Sequence, residues 1–97
     1  MITIIKSPQY EADLEAIWVH IAAENELAAD RVVTAIEQTI DRLCSFPGIG
    51  VLCPHLAPDV RRTMWRHYLI YYRARIDAIE LVRVLHGRRD INARLFR

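Results

Sequence analysis

From Tyr68 to Asp90 the chain reads YLIYYRARIDAIELVRVLHGRRD, a stretch that leaves few folds open. Tyr68 to Tyr72 are all apolar or aromatic, and from Ile79 to Leu85 only Glu80 and Arg83 interrupt β-branched and Leu side chains. Runs of that kind suit strands covered by other elements. Arg75-Ile76-Asp77-Ala78 leaves room only for a short connection, so the two runs are predicted to pair antiparallel as a hairpin. The turn has neither Asn-Gly nor a Gly, and its type stays open. Gly87 follows His86, and because Gly tolerates positive φ the chain is expected to leave the ladder there, with Arg88 and Arg89 projecting beyond. Strict alternation puts Ile79, Leu81, Arg83 and Leu85 on one side and Glu80, Val82, Val84 and His86 on the other. Both sides are largely apolar. If helices cover one, the other is predicted to leave an apolar patch for a partner.

Upstream of the hairpin, Ile2 to Lys6 is short and β-branched and reads as a first strand joining the sheet. Ser7-Pro8 opens a helix, with Ser at the N-cap, Pro at the first helical position and Glu11, Asp13 and Glu15 near the positive end of the dipole. Leu14, Ile17, Trp18 and Ile21 form its apolar stripe, and it is expected to run to about Glu24, with Asn25 as the stop. A second helix from about Leu27 to Ser45 carries Val32, Ile36, Ile40 and Leu43, so the pair forms an antiparallel helical hairpin. Phe46-Pro47-Gly48-Ile49-Gly50 ends it, the Gly residues being expected to supply turns. A loop with Pro54 and Pro58 leads to a strand from Val60 to Arg66, which turns at Arg66-His67 into Tyr68. Ile91 to Arg97 is too short to be more than a helical turn. The prediction is one α+β domain over residues 1–97: a small antiparallel sheet with the N-terminal helical hairpin on one face, in the order β-α-α-β-β-β.

No apolar run approaches the ~18 residues of a membrane span. The N-terminus has no basic leader or cleavage site and does not read as a signal peptide. Cys44 and Cys53 show no metal-ligand or disulfide-rich spacing, so the cytoplasm is the expected location and small apolar fillers their expected role. A net charge of +1 hides a division. Up to Gly50, Lys6, Arg31 and Arg42 face eight carboxylates; after it, ten Arg and no Lys face Asp59, Asp77, Glu80 and Asp90. Two readings of the basic half stay open: an anionic partner engaged through planar guanidinium forks, or Arg side chains that neutralise the acidic helices.

Chemistry-bearing residues are few. There is no Gly-x-Ser-x-Gly, no plausible Ser with His and acid, and no His-x-x-x-His pair. Glu11, Asp13 and Glu15 alternate faces on a helix, which fits a solvated first turn rather than a metal site, and no cofactor is expected. His20 and His55 read as solvated and Trp18 as core, while Trp65 divides between core and partner contact. Arg73 and Arg83, amid apolar neighbours, need carboxylates from within the chain or from a partner. In the tail, Ile91, Leu95 and Phe96 give enough apolar surface to dock while Arg88, Arg89, Arg94 and Arg97 face outward, the other reading being a frayed terminus.

SPQYEADLEAIWVHIAAEN at Ser7 to Asn25, AADRVVTAIEQTIDRLCSFPGIG at Ala28 to Gly50, and YLIYYR with IELVRVLHGRRD in the hairpin together resemble the RelE/ParE superfamily of bacterial toxins, in its ParE branch. The resemblance covers nearly the whole chain and implies a small antiparallel sheet with a helical hairpin. It also implies a plasmid-stabilisation type toxin neutralised by a ParD-like antitoxin whose disordered C-terminal segment folds onto it. ParE toxins poison DNA gyrase, whereas RelE toxins cleave messenger RNA on the ribosome. For RNA cleavage the RelE branch uses an Arg directly after the aromatic matched here by Tyr68, and this chain has Leu69 there. Its Lys pair on the preceding strand is matched at best by Arg61-Arg62. Gyrase inhibition without catalysis is therefore the expected function, with ribosome-dependent endoribonuclease activity through His86, Arg88 and Arg62 as the alternative. Arg73, Arg83, Trp65 and Arg61 are expected to meet the antitoxin, and Arg88, Arg89 and Arg94 the target, without membrane or sequence-specific nucleic-acid contact.

Overall fold

The computed structural model describes residues 2–97. Ser7 caps α1 (Pro8–Ala22): its Oγ accepts the Tyr10 N–H at 3.0 Å and donates to the Val82 carbonyl at 2.8 Å, so one side chain both starts the helix and ties it to the sheet. Asn25 does more than stop that helix. Its Oδ1 accepts the Ala28 N–H at 3.0 Å and caps α2 (Glu26–Leu43). Each helix ends about two residues before the Glu24 and Ser45 expected from the sequence. Ile36, Ile40 and Leu43 are buried on α2 as its periodicity predicts, and Leu14, Ile17 and Val32 pack around them. Tyr10, on the first turn of α1, is fully buried although the stripe did not include it. Trp18 is only half-buried, its Nε1–H donating to Asp30 Oδ1 at 2.8 Å, so it ties the helices together at the surface instead of entering the core.

Five strands form one sheet in the order β1-β5-β4-β3-β2. The predicted meander is present: β3 (Arg61–Trp65), β4 (Tyr68–Ala74) and β5 (Ala78–His86) pair antiparallel, with the Arg66-His67 turn and a connection at Arg75 to Asp77. The first strand, β1 (Thr3–Lys6), joins β5 in parallel, so the sheet is mixed where a wholly antiparallel one was expected: the helical hairpin that follows Lys6 crosses the face and lets the chain return in the same direction. Opposite it, β2 (Val51–Leu52), read as loop from the sequence, pairs with Arg61 and Arg62. A strand of two residues is too short to carry a signature of its own.

Strict alternation fails in β5. Tyr71 pairs with Arg83 but Tyr72 with Leu81, so Val82 is an extra residue on that strand. The bulge moves side chains between faces. Ile79, Leu81 and Val84 join Ile70 and Tyr72 against the helices, while Val82 and Leu85 fall with Tyr71 on the opposite face. That opposite face is not the open apolar patch expected. Cys53, Leu56, Ala57 and Val60 cover it from the loop after β2, and Ile91, Leu95 and Phe96 from the C-terminal segment, where Ala93–Phe96 form a 3-10 helix. Phe96 meets Tyr71 edge to face, with ring centroids 4.9 Å apart.

No glycine adopts a positive φ, and Gly87 and Gly50 act instead through the space a side chain would take. Gly87 donates its N–H to the His67 carbonyl at 2.7 Å, and a Cβ there would lie 3.2 Å from that oxygen. Gly50 lies beneath Tyr72, whose hydroxyl accepts the Gly50 N–H at 2.9 Å and donates to the Pro47 carbonyl at 2.8 Å. A Cβ at Gly50 would come within 2.6 Å of that hydroxyl.

Candidate functional site

β1 pairs with β5 only as far as Leu81, so beyond it β5 has an open edge. The start of α1 closes that edge: Ser7 satisfies the carbonyls of Leu81 and Val82, and Asp13 Oδ2 accepts the Val84 N–H at 3.2 Å. Arg83 completes the closure with Nε and Nη2 on the two Asp13 oxygens at 2.7 and 2.6 Å, and Nη1 on the Leu95 carbonyl at 2.9 Å. Hydrogen bonding to Asp13 holds the guanidinium pKa above its ordinary value. Of the two sources left open for its carboxylate, Arg83 finds the one inside the chain, with all three guanidinium nitrogens engaged; and Asp13, whose side chain is only 10% exposed, is not the solvated first-turn acid that was expected.

Other Arg residues divide between internal and outward roles. Arg61 holds the loop before β2 through the Gly50 carbonyl at 2.8 Å and the Gly48 carbonyl at 3.3 Å, a role within the chain that the sequence did not suggest. Arg75 pairs with Glu80 at 3.0 Å. Arg73, whose strand partner is that same Glu80, is left with the Pro58 carbonyl at 3.1 Å. With Arg97, Ile5 and Phe96 it borders a groove of about 310 Å³ beside the β1–β5 edge. Among the described residues Arg62, Arg66, Arg88, Arg89, Arg94 and Arg97 make no ion pair, and all of them are exposed. Of the two readings of the basic half, internal neutralisation of the helices accounts for Arg83 alone.

At the end of the sheet where β3 turns into β4 and β5 stops, Trp65, His67, Tyr68 and His86 come together. Trp65 is half-buried, packed against the helix-side core, with its ring stacked near Tyr68 and the Arg66 guanidinium over it. His86 Nδ1 accepts the Arg88 N–H at 3.1 Å, which leaves Nε2 to carry the ring proton and act as a donor. The alternative set His86, Arg88 and Arg62 is not assembled. Arg62 pairs with Tyr71, whereas His86 pairs with Tyr68, so Arg62 stands two strands across and three residues along, on the order of 10 Å in each direction. His20, read as solvated, is exposed but faces a cavity with His86, a proximity between α1 and β5 that sequence spacing does not reveal.

The family model described as "ParE toxin of type II toxin-antitoxin system, parDE" matches residues 4–91. The chain is similar to Toxin ParE1 of Mycobacterium tuberculosis, 31% identical over 91 residues that cover 92% of this chain and 93% of the relative. Toxin ParE1 of Caulobacter vibrioides is likewise 31% identical, over 91% of this chain and 90% of that protein. Among solved structures, a chain of the chromosomal ParDE TA system from P. aeruginosa shares the fold, with a TM-score of 0.73 at 22% identity, covering 89% of this chain and 96% of its own.

Proposed function

The chain belongs to the ParE toxin family of type II toxin-antitoxin systems, and from that membership we propose that it acts by binding DNA gyrase and is silenced by a ParD-like antitoxin in the cytoplasm. The observation that carries this reading is the setting of Arg88, Arg89 and Arg94. All three are exposed and outside any ion pair among the described residues, on a segment whose apolar side is docked against the sheet. Docking reduces the entropy lost when those forks engage carboxylates or phosphates of a target. For the antitoxin, the groove between Arg73 and Arg97 fits an acidic segment that folds as it binds and brings the carboxylate Arg73 lacks.

The ribonuclease alternative has less support. His86 is oriented as a donor, Arg62 is remote from it, and Leu69 stands where the RelE branch has an Arg. Each missing charge-stabilising donor typically removes ~3 kcal/mol of transition-state stabilisation. The test is a gyrase supercoiling assay run beside a ribosome-bound messenger cleavage assay with the purified chain. Inhibited supercoiling, relieved by the antitoxin and retained by His86→Gln, is the expected result. Cuts in the message that require His86 would replace this reading with the nuclease.

A further inference from the structure

The end of the sheet at the Arg66-His67 turn carries chemistry that neither the Asp13–Arg83 pair nor the groove at Arg73 uses. Planar groups run across it without a break. The Arg66 guanidinium lies 5.0 Å over the Trp65 ring, and Trp65 and Tyr68 are near-parallel with centroids 6.4 Å apart. Tyr68 meets His86 edge-on at 5.3 Å, and His86 stacks with His67 at 6.0 Å. Beside this run Tyr68 and His86 line a cavity of about 270 Å³ together with Ile17 and His20 of α1 and with Arg89. The one carboxylate in its lining, Asp13, is already bound to Arg83. Arg66, Arg88 and Arg89 surround the surface, exposed and outside any ion pair among the described residues.

An acidic peptide would use the cations and leave the rings idle; an apolar partner would do the reverse. A single polynucleotide strand presents flat bases and phosphates in alternation, and so matches both. A duplex stacks its bases on one another and offers mainly phosphates. We propose that this end of the molecule binds a single-stranded polynucleotide without sequence preference, its bases on Trp65, Tyr68 and the cavity beside His86, its phosphates on Arg66, Arg88 and Arg89. Arg66 adds a second, independent observation. Its φ is 50°, in the left-handed region that Gly occupies without strain, so the guanidinium is carried there at a conformational cost. The inference shares Arg88 and Arg89 with the gyrase reading but not its target, and binding is measurable without gyrase.

The experiment is fluorescence anisotropy of the full chain with labelled oligodeoxyuridylate and oligouridylate of about 16 nucleotides, a duplex of equal length, and polyglutamate. Strand binding is expected to quench Trp emission, and with three phosphates neutralised log K falls against log salt with a slope of about −2. The tighter of the two strands identifies the sugar that is read. Trp65→Leu is expected to abolish the quench. Arg66→Gly is expected to weaken the strand roughly ten-fold while unfolding stability holds or rises, because Gly relieves the left-handed residue. Arg66→Gly and Arg89→Ala, both at exposed positions, decide the matter should Trp65→Leu fail to fold. Wild-type affinity in these two variants would overturn the proposal. So would equal binding of duplex and polyglutamate with unchanged Trp emission, which is plain anion attraction. Strand binding by a chain that leaves gyrase unaffected would sink the gyrase reading alone; inhibited gyrase with no strand binding would sink only this one.

Discussion

Tyr10 is completely buried between the helices and the sheet, yet its hydroxyl has no hydrogen-bond partner among the described residues. Burial, with Glu37 and then Glu11 nearby, pushes its pKa up to about 12. Because the folded state holds the proton more tightly than the unfolded chain, this contribution to stability is complete below about pH 10 and is lost as pH rises toward about 12. Denaturant unfolding at about pH 8 and about pH 11 is expected to show Tyr10→Phe at least as stable as the parent at the lower value, and less weakened at the higher. Asp13 is the opposite case, a polar group with every oxygen engaged. Asp13→Ala leaves Arg83 and the Val84 N–H unpaired at a largely buried site, and a loss of about 3 kcal/mol is expected by the same measurement. Arg83→Ala is expected to fall in the same range, and a double-mutant cycle isolates the coupling.

Two elements behave as latches. The loop from Pro47 to Gly50 is held by Tyr72 from below and Arg61 from the side, and it delivers β2 to the edge of the sheet. Gly50→Ala would force a Cβ against the Tyr72 ring and the Arg62 carbonyl, with an expected cost of about 2 kcal/mol in thermal or denaturant unfolding. The C-terminal 3-10 helix is the second latch. Phe96 is half-buried on Tyr71, and Leu95 supplies the carbonyl for Arg83. Phe96→Ala is expected to cost about 2 kcal/mol and to increase binding of an apolar dye as Tyr71 and Leu85 become accessible. A substitution without effect on either readout would mean that the loop after β2 covers that face alone.

Across the whole molecule, charge is sorted by what the fold can reach. The acidic helices lie on one face, and only Arg83 passes round the β5 edge to meet them; the six exposed Arg residues of the basic half other than Arg75 stay outside any ion pair among the described residues. Exposed groups of that kind contribute little to stability. Changing Arg88 and Arg89 together to Ala is therefore expected to leave unfolding stability within about 0.5 kcal/mol while abolishing growth inhibition and sparing antitoxin binding. Full toxicity at equal expression would remove these residues from the target surface. The helices, their order and the meander were legible in the chain because their signals are local: Ser7-Pro8 caps the first helix and Asn25 stops it, apolar spacing sets the faces, and short connections force antiparallel neighbours. What only the tertiary structure decided lies between residues far apart in the chain. The extra residue at Val82 depends on pairing with Tyr71 and Tyr72, the cover over the second face on a tail docking against β4, and the partner of Arg83 on an Asp 70 positions away. No local pattern encodes a register shift or an ion pair at that separation, since each depends on which backbones packing brings within hydrogen-bond distance.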